Sequence, residues 1–120
     1  MKLENQVCSL ELAKRLKELG FEQESLFYHV KEYYLNAKAI TQTKYSNTHS
    51  EEVSAYTVAE LGEMLPVNYY SLKAYNGEWC CYKIEDELNK EDFLFLTTIS
   101  NTEADARAKM LIYLKENNLV

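Results

Sequence analysis

Proline occurs once and glycine three times in 120 residues, so the chain lacks the composition of a collagen-like, linker-rich or low-complexity protein. Gly20, Gly62 and Gly77 each stand alone, and no glycine-rich loop is available to wrap a phosphate. Histidine is equally scarce. His29 lies among apolar residues and His49 in a polar stretch, and neither has a Cys or Asp at the spacing of a zinc motif or a catalytic triad. No run approaches the roughly 18 apolar residues of a membrane-spanning helix. The N-terminal MKLENQVCSL carries an early Glu and no apolar core, so it does not read as a secretory signal. Positive charge is in deficit, 13 Lys and Arg against 19 Asp and Glu, and the net charge of −6 repels phosphate backbones and anionic membranes. Nucleic acid and membrane are therefore disfavoured as partners. The three cysteines, Cys8, Cys80 and Cys81, are an odd set. Adjacent strand residues point to opposite faces, so Cys80 and Cys81 are expected as free thiols in a reducing, cytoplasmic setting.

What is present is ordinary in amount and unusual in kind. Hydrophobic residues make up 47% and charged residues 27%, which fits one globular domain over residues 1–120. Among the aromatics, ten Tyr outnumber four Phe and one Trp, and Tyr tolerates a half-exposed position because its hydroxyl can stay wet. The strongest local signal is YYSLKAYNGEWCCYKIE, Tyr69 to Glu85, in which Asn76-Gly77 suits a two-residue hairpin turn between two β-forming runs. That turn would set Tyr75 against Glu78, Ala74 against Trp79, Lys73 against Cys80, Leu72 against Cys81 and Ser71 against Tyr82. One face would then hold Leu72, Ala74, Trp79 and Cys81 as core. The other would hold Tyr69, Ser71, Lys73, Tyr75, Glu78, Cys80, Tyr82 and Ile84, half wet.

Upstream, Ser9 can cap a helix with Leu12, Ala13, Leu16 and Leu19 on one side, ended by Gly20 with Phe21 folding back on Leu16. Gln23 to Leu35 fits either period. Leu26, Tyr28, Val30 and Tyr34 alternate, while Leu26, Phe27, Val30, Tyr33 and Tyr34 suit a helix, and the density of Phe, Tyr and Val favours a strand. Asn36 to Glu52 is polar and aperiodic and reads as a long loop. AYTVAELGEMLP carries Thr57 as N-cap, Glu60 to close a capping box, Tyr56 and Leu61 for a hydrophobic staple, and Pro66 as terminator. EDELNKED is a charged turn without the ligand alternation or the Gly of a calcium loop. Phe93 to Ile99 reads as an interior strand beside the hairpin. A last helix is capped by Ser100 or Thr102, with Ala104, Ala108, Leu111, Ile112 and Leu114 inside. The expected fold is α+β, in the order α-β-α-β-β-β-α, with a mainly antiparallel sheet of about four strands against helices.

No catalytic constellation, cofactor loop or metal-ligand spacing emerges, so the leading expectation is a non-enzymatic interaction module. Its candidate surface is Tyr69, Lys73, Tyr75 and Tyr82, where three phenols and an ammonium share one predicted face. The competing explanation is that these tyrosines pack on one another across the strands. A small-ligand or nucleotide-processing protein is one alternative. An acidic helix-turn-helix is another: ELAKRLKELG followed by FEQESLFYHV has the right outline, but its second segment has no Lys or Arg before Lys31 to hold phosphates.

The blocks CSLELAKRLKELGFEQESLFYHV, YTVAELGEMLP, GEWCCY and TEADARAKMLIYLKENN resemble recurring segments of small proteins of unknown function encoded by phages and prophages of gut bacteria. The likeness spans most of the chain outside Asn36 to Glu52. It implies an accessory product acting in the bacterial cytoplasm on a host or phage protein, or on another copy of itself. No activity attaches to that family, so no functional residue is carried over. If Cys80 and Cys81 are strand neighbours, native alkylation followed by mass spectrometry will find no bond between them, and a stoichiometric link would exclude a strand there.

Overall fold

The computed structural model describes residues 2–32, 37–42, 50–84 and 97–120. The elements are α1 (Leu3–Gln6), α2 (Leu10–Glu18), β1 (Tyr28–Glu32), β2 (Ala37–Thr41), β3 (Ser50–Ser54), α3 (Val58–Met64), β4 (Tyr69–Lys73), β5 (Trp79–Lys83), β6 (Thr97–Ser100) and α4 (Glu103–Glu116). The class is α+β, as expected, but the strands form two antiparallel sheets of three, ordered β2-β1-β3 and β4-β5-β6, rather than one sheet of about four. The element order differs accordingly, with an extra short helix at the start and two extra strands in the middle.

Those two strands correct the expected loop from Asn36 to Glu52. β2 is AKAIT and β3 is SEEVS, sequences with too little aromatic or β-branched content to announce themselves, and β1 recruits both as edges. Residues 43–49 of that loop lie outside the described residues, as do the charged turn at 85–92 and the first part of the Phe93–Ile99 run. The described part of that run, β6, pairs beside the hairpin as expected and stands at the end of the described strand order.

Helix punctuation follows the sequence closely, except that Ser9, at the N-cap of α2, makes no side-chain capping hydrogen bond. Gly20 takes φ +93°, its N–H reaches the Lys17 carbonyl at 3.0 Å and the Phe21 N–H reaches that of Leu16 at 3.1 Å, the two bonds of a Schellman ending. Thr57 and Glu60 form the reciprocal capping box of α3, with Glu60 N–H donating to Thr57 Oγ1 at 3.2 Å and Thr57 N–H to Glu60 Oε1 at 3.0 Å. Thr102 caps α4 through the Asp105 N–H, 3.2 Å away. The segment after α2 is non-helical and leads into β1, so the second helix of a helix-turn-helix is not formed there.

The core is organised by α4, which packs on α1, α2, α3 and every strand of the second sheet. Ala104, Ala106, Ala108, Met110, Leu111 and Leu114 are all buried. Burial thus extends past the single inner stripe expected from the sequence and takes in Ala106 and Met110, because small side chains let neighbours close in from several sides. Leu16, Tyr56, Leu61 and Cys81 complete the same cluster. The first sheet joins it through β3, which packs on α2, and through Val53.

Polar ties run from the first turns of α4. Asp105 Oδ1 accepts from the Ser9 N–H at 2.7 Å, and the Ala106 carbonyl from Thr98 Oγ1 at 2.7 Å. Arg107 donates from Nη1 to the Val58 carbonyl at 2.8 Å, and from Nε and Nη2 to Ser71 Oγ at 3.1 and 3.0 Å, while Glu103 closes the group as an ion pair at 3.4 Å. A Cβ at Gly62 would collide with this guanidinium, which accounts for a glycine inside α3.

Two substitutions test the local assignments. Gly77 has φ +90°, so Gly77→Val should strain the hairpin turn and lower stability in urea melts, and Thr57→Ala should cost about 1 kcal/mol of capping. Variants as stable as the parent would contradict both assignments.

Candidate functional site

The hairpin forms where expected but one residue out of the expected register. Gly77 N–H closes on the Ala74 carbonyl at 2.9 Å, Ala74 N–H on that of Glu78 at 2.7 Å, and the loop is Tyr75-Asn76-Gly77. Gly77 alone takes a positive φ. Asn76 instead uses its side-chain oxygen to accept from the Glu78 N–H at 3.1 Å, the arrangement of a three-residue hairpin loop rather than a two-residue one. The pairs are therefore Tyr69 with Lys83, Tyr70 with Tyr82, Ser71 with Cys81, Leu72 with Cys80 and Lys73 with Trp79.

A slip of one residue exchanges the faces of β4 while leaving those of β5 as expected. Trp79 and Cys81 point at the helices, joined by Tyr69, Ser71 and Thr98. Leu72, expected inside, is outside. The four candidate residues consequently do not form one surface. Tyr69 packs against the core cluster, Lys73 shares its side of the sheet at the strand end, and Tyr75 stands fully exposed at the loop tip. Tyr82 alone is on the open face.

That open face carries Tyr70, Leu72, Cys80, Tyr82, Thr97 and Ile99 in two adjacent cross-strand rows, with Ile84 just beyond them. None of these side chains is charged. Tyr70 is 47% exposed, Leu72 43% and Ile99 50%, and the Tyr70 and Tyr82 rings lie 6.3 Å apart in a tilted pair. Scattered apolar residues are normal on surfaces, but a contiguous uncharged group on one sheet face is not.

A second feature lies on the first sheet. His29, Lys31, Ile40 and Val53 share its helix-facing side by register, and with Leu3 and Glu4 of α1 and Leu10 and Lys14 of α2 they enclose a cavity of about 470 Å³. His29 is anchored there: its Nε2 lies 2.7 Å from the Cys8 carbonyl oxygen, which can only accept, so Nε2 carries the proton. The Cys8 N–H in turn donates to the Tyr56 carbonyl at 2.9 Å, pinning this peptide between the strand and the link to α3. Burial lowers the His29 pKa below its ordinary value, and the hydrogen bond only partly opposes this.

Nucleophilic chemistry finds little support among the thiols. Burial pushes Cys8 up to about 12 and Cys81 up to about 11, so both remain protonated thiols at neutral pH. Among the described residues no group of three His, Cys, Asp or Glu side chains could hold a metal ion, and no helix is long and apolar enough to cross a membrane. Compared with known protein families, curated proteins and solved structures, the chain matches none.

The buried imidazole has a consequence for pH. Well above pH 6.5 the ring is neutral in both folded and unfolded chains and contributes no slope. As pH falls below 6.5 the unfolded chain takes up a proton that the native ring resists, so stability falls until the lowered native pKa is passed. Urea melts across this range should show the loss in the parent and a reduced loss in His29→Gln, which keeps a donor for the Cys8 carbonyl. An equal slope in both would contradict the assignment of a buried neutral ring.

Proposed function

We propose that the protein is a non-enzymatic interaction module whose contact surface is the open face of the β4-β5-β6 sheet. The observation that carries this is the uncharged row of Tyr70, Leu72, Tyr82 and Ile99 on a face that no described helix packs against, while the opposite face of the same sheet is covered by α4. Tyr and Ile there supply rigid contact area at small entropic cost, the property that enriches aromatic residues in the cores of protein interfaces.

A second copy of the chain suits this face. An interface between identical copies places the same patch on both sides, and a patch without charge has nothing on it to repel its own image, even in a molecule of net charge −6. A host or phage protein with a matching apolar patch is the other partner this surface suits. The bacterial, phage-associated setting rests on the sequence resemblance alone.

Tyr70→Ser combined with Ile99→Ser should leave the far-ultraviolet circular dichroism unchanged, because both side chains point away from the core. The same change should weaken self-association in sedimentation by about 2 kcal/mol or more, the usual cost of truncating aromatic anchors. A folded double variant that associates as the parent does would move the contact elsewhere. A parent that stays monomeric at every concentration would exclude the second copy as partner.

A further inference from the structure

We infer that the cavity between the first sheet and helices α1 and α2 is a binding site for a small amphipathic carboxylate, a function separate from the open face of the second sheet. Its volume of about 470 Å³ lies within the roughly 300–1,000 Å³ of small-molecule sites. Five separate elements contribute to its wall, so it is a product of the tertiary fold rather than a crease beside one helix.

The lining divides into two chemistries. Leu3, Leu10, Ile40 and Val53 form an apolar wall suited to a hydrocarbon or aromatic body. Lys14 brings an ammonium group to the rim and Glu4 a carboxylate, with Lys31 also in the lining. Lys14 lies on the exposed side of α2 one turn after Leu10, and it has no ion-pair partner among the described residues. Its stem can lie along the apolar wall while its head meets an anion at the mouth. Such a site selects a ligand with an apolar body and one negative end, and it disfavours a cationic ligand of the same size.

His29 refines this class. The ring is neutral and its Nε2–H is taken by the Cys8 carbonyl, so it brings no positive charge to the ligand, and its Nδ1 can only accept. The anion is therefore assigned to Lys14. The imidazole can serve a hydroxyl or N–H elsewhere on the ligand.

The experiment is a titration followed by ¹H–¹⁵N correlation spectra of the full chain, with octanoate as probe and octan-1-ol and octylamine as controls matched in length. Octanoate should give saturable shifts at Leu3, Leu10, His29, Ile40 and Val53, while octan-1-ol and octylamine bind at least about tenfold more weakly. Lys14→Met keeps the length of the stem and should weaken octanoate by about tenfold without altering octan-1-ol, whereas Lys14→Arg should restore octanoate binding. Three results would overturn the assignment: no saturable octanoate shifts at these residues, octylamine binding as well as octanoate, or Lys14→Met binding octanoate as the parent does. Shifts confined to Tyr70, Leu72 and Ile99 would also overturn it, since they would report the open sheet face instead of the cavity.

Discussion

The guanidinium of Arg107 holds three elements at once, and the layout of the helical layer depends on it. It reaches the carbonyl of Val58 in α3, the hydroxyl of Ser71 in β4 and the carboxylate of Glu103 one turn back on α4. A half-buried charge is tolerated here because its donors are met, and hydrogen bonds to charged groups contribute more than neutral ones. The site has been cleared for it: Gly62 supplies the space and Ala104, Ala106 and Ala108 bring α4 close enough to the sheet for the reach to succeed. Around this point the neighbouring ties from Thr98 and Ser9 find their geometry, so the first turns of α4 position the hairpin, α3 and α2 together.

Helix ends were legible because they depend on local chemistry. Gly20, Thr57 with Glu60, and Thr102 act within a few residues of themselves, and each does what its type and spacing imply. The strands were legible only where side chains advertised them. β1 and β5 are rich in Tyr, Val and Cys and were recognisable, whereas β2 and β3 owe their conformation to pairing with β1.

The candidate surface was half legible for a single reason. Asn-Gly can serve a two-residue or a three-residue loop, and the choice turns on whether Asn adopts a positive φ or spends its side chain on the Glu78 N–H. The second outcome moves Tyr69 inward and Tyr70 and Leu72 outward, so a correct hairpin yielded a wrong face for one strand and a right one for the other. The cavity was not legible at all. His29 drew attention as an isolated imidazole, but Lys14, Ile40 and Val53 come to it from three other elements, two of which were not recognised as strands.

The contact between Ser9 and Asp105 spans nearly the whole chain, and so does the ion pair between Arg15 and Glu116. Helix α2 precedes α4 by more than 80 residues, yet the surface that covers Ala13 and Leu16 includes α4. A nascent chain therefore carries an apolar helix face whose cover is incomplete until α4 has been made. Closing so long a loop costs little extra free energy at equilibrium but slows the search for the native arrangement. The native packing of α2 is therefore completed only after α4 has been made, and the exposed helix face is most open to misassociation in the interval before.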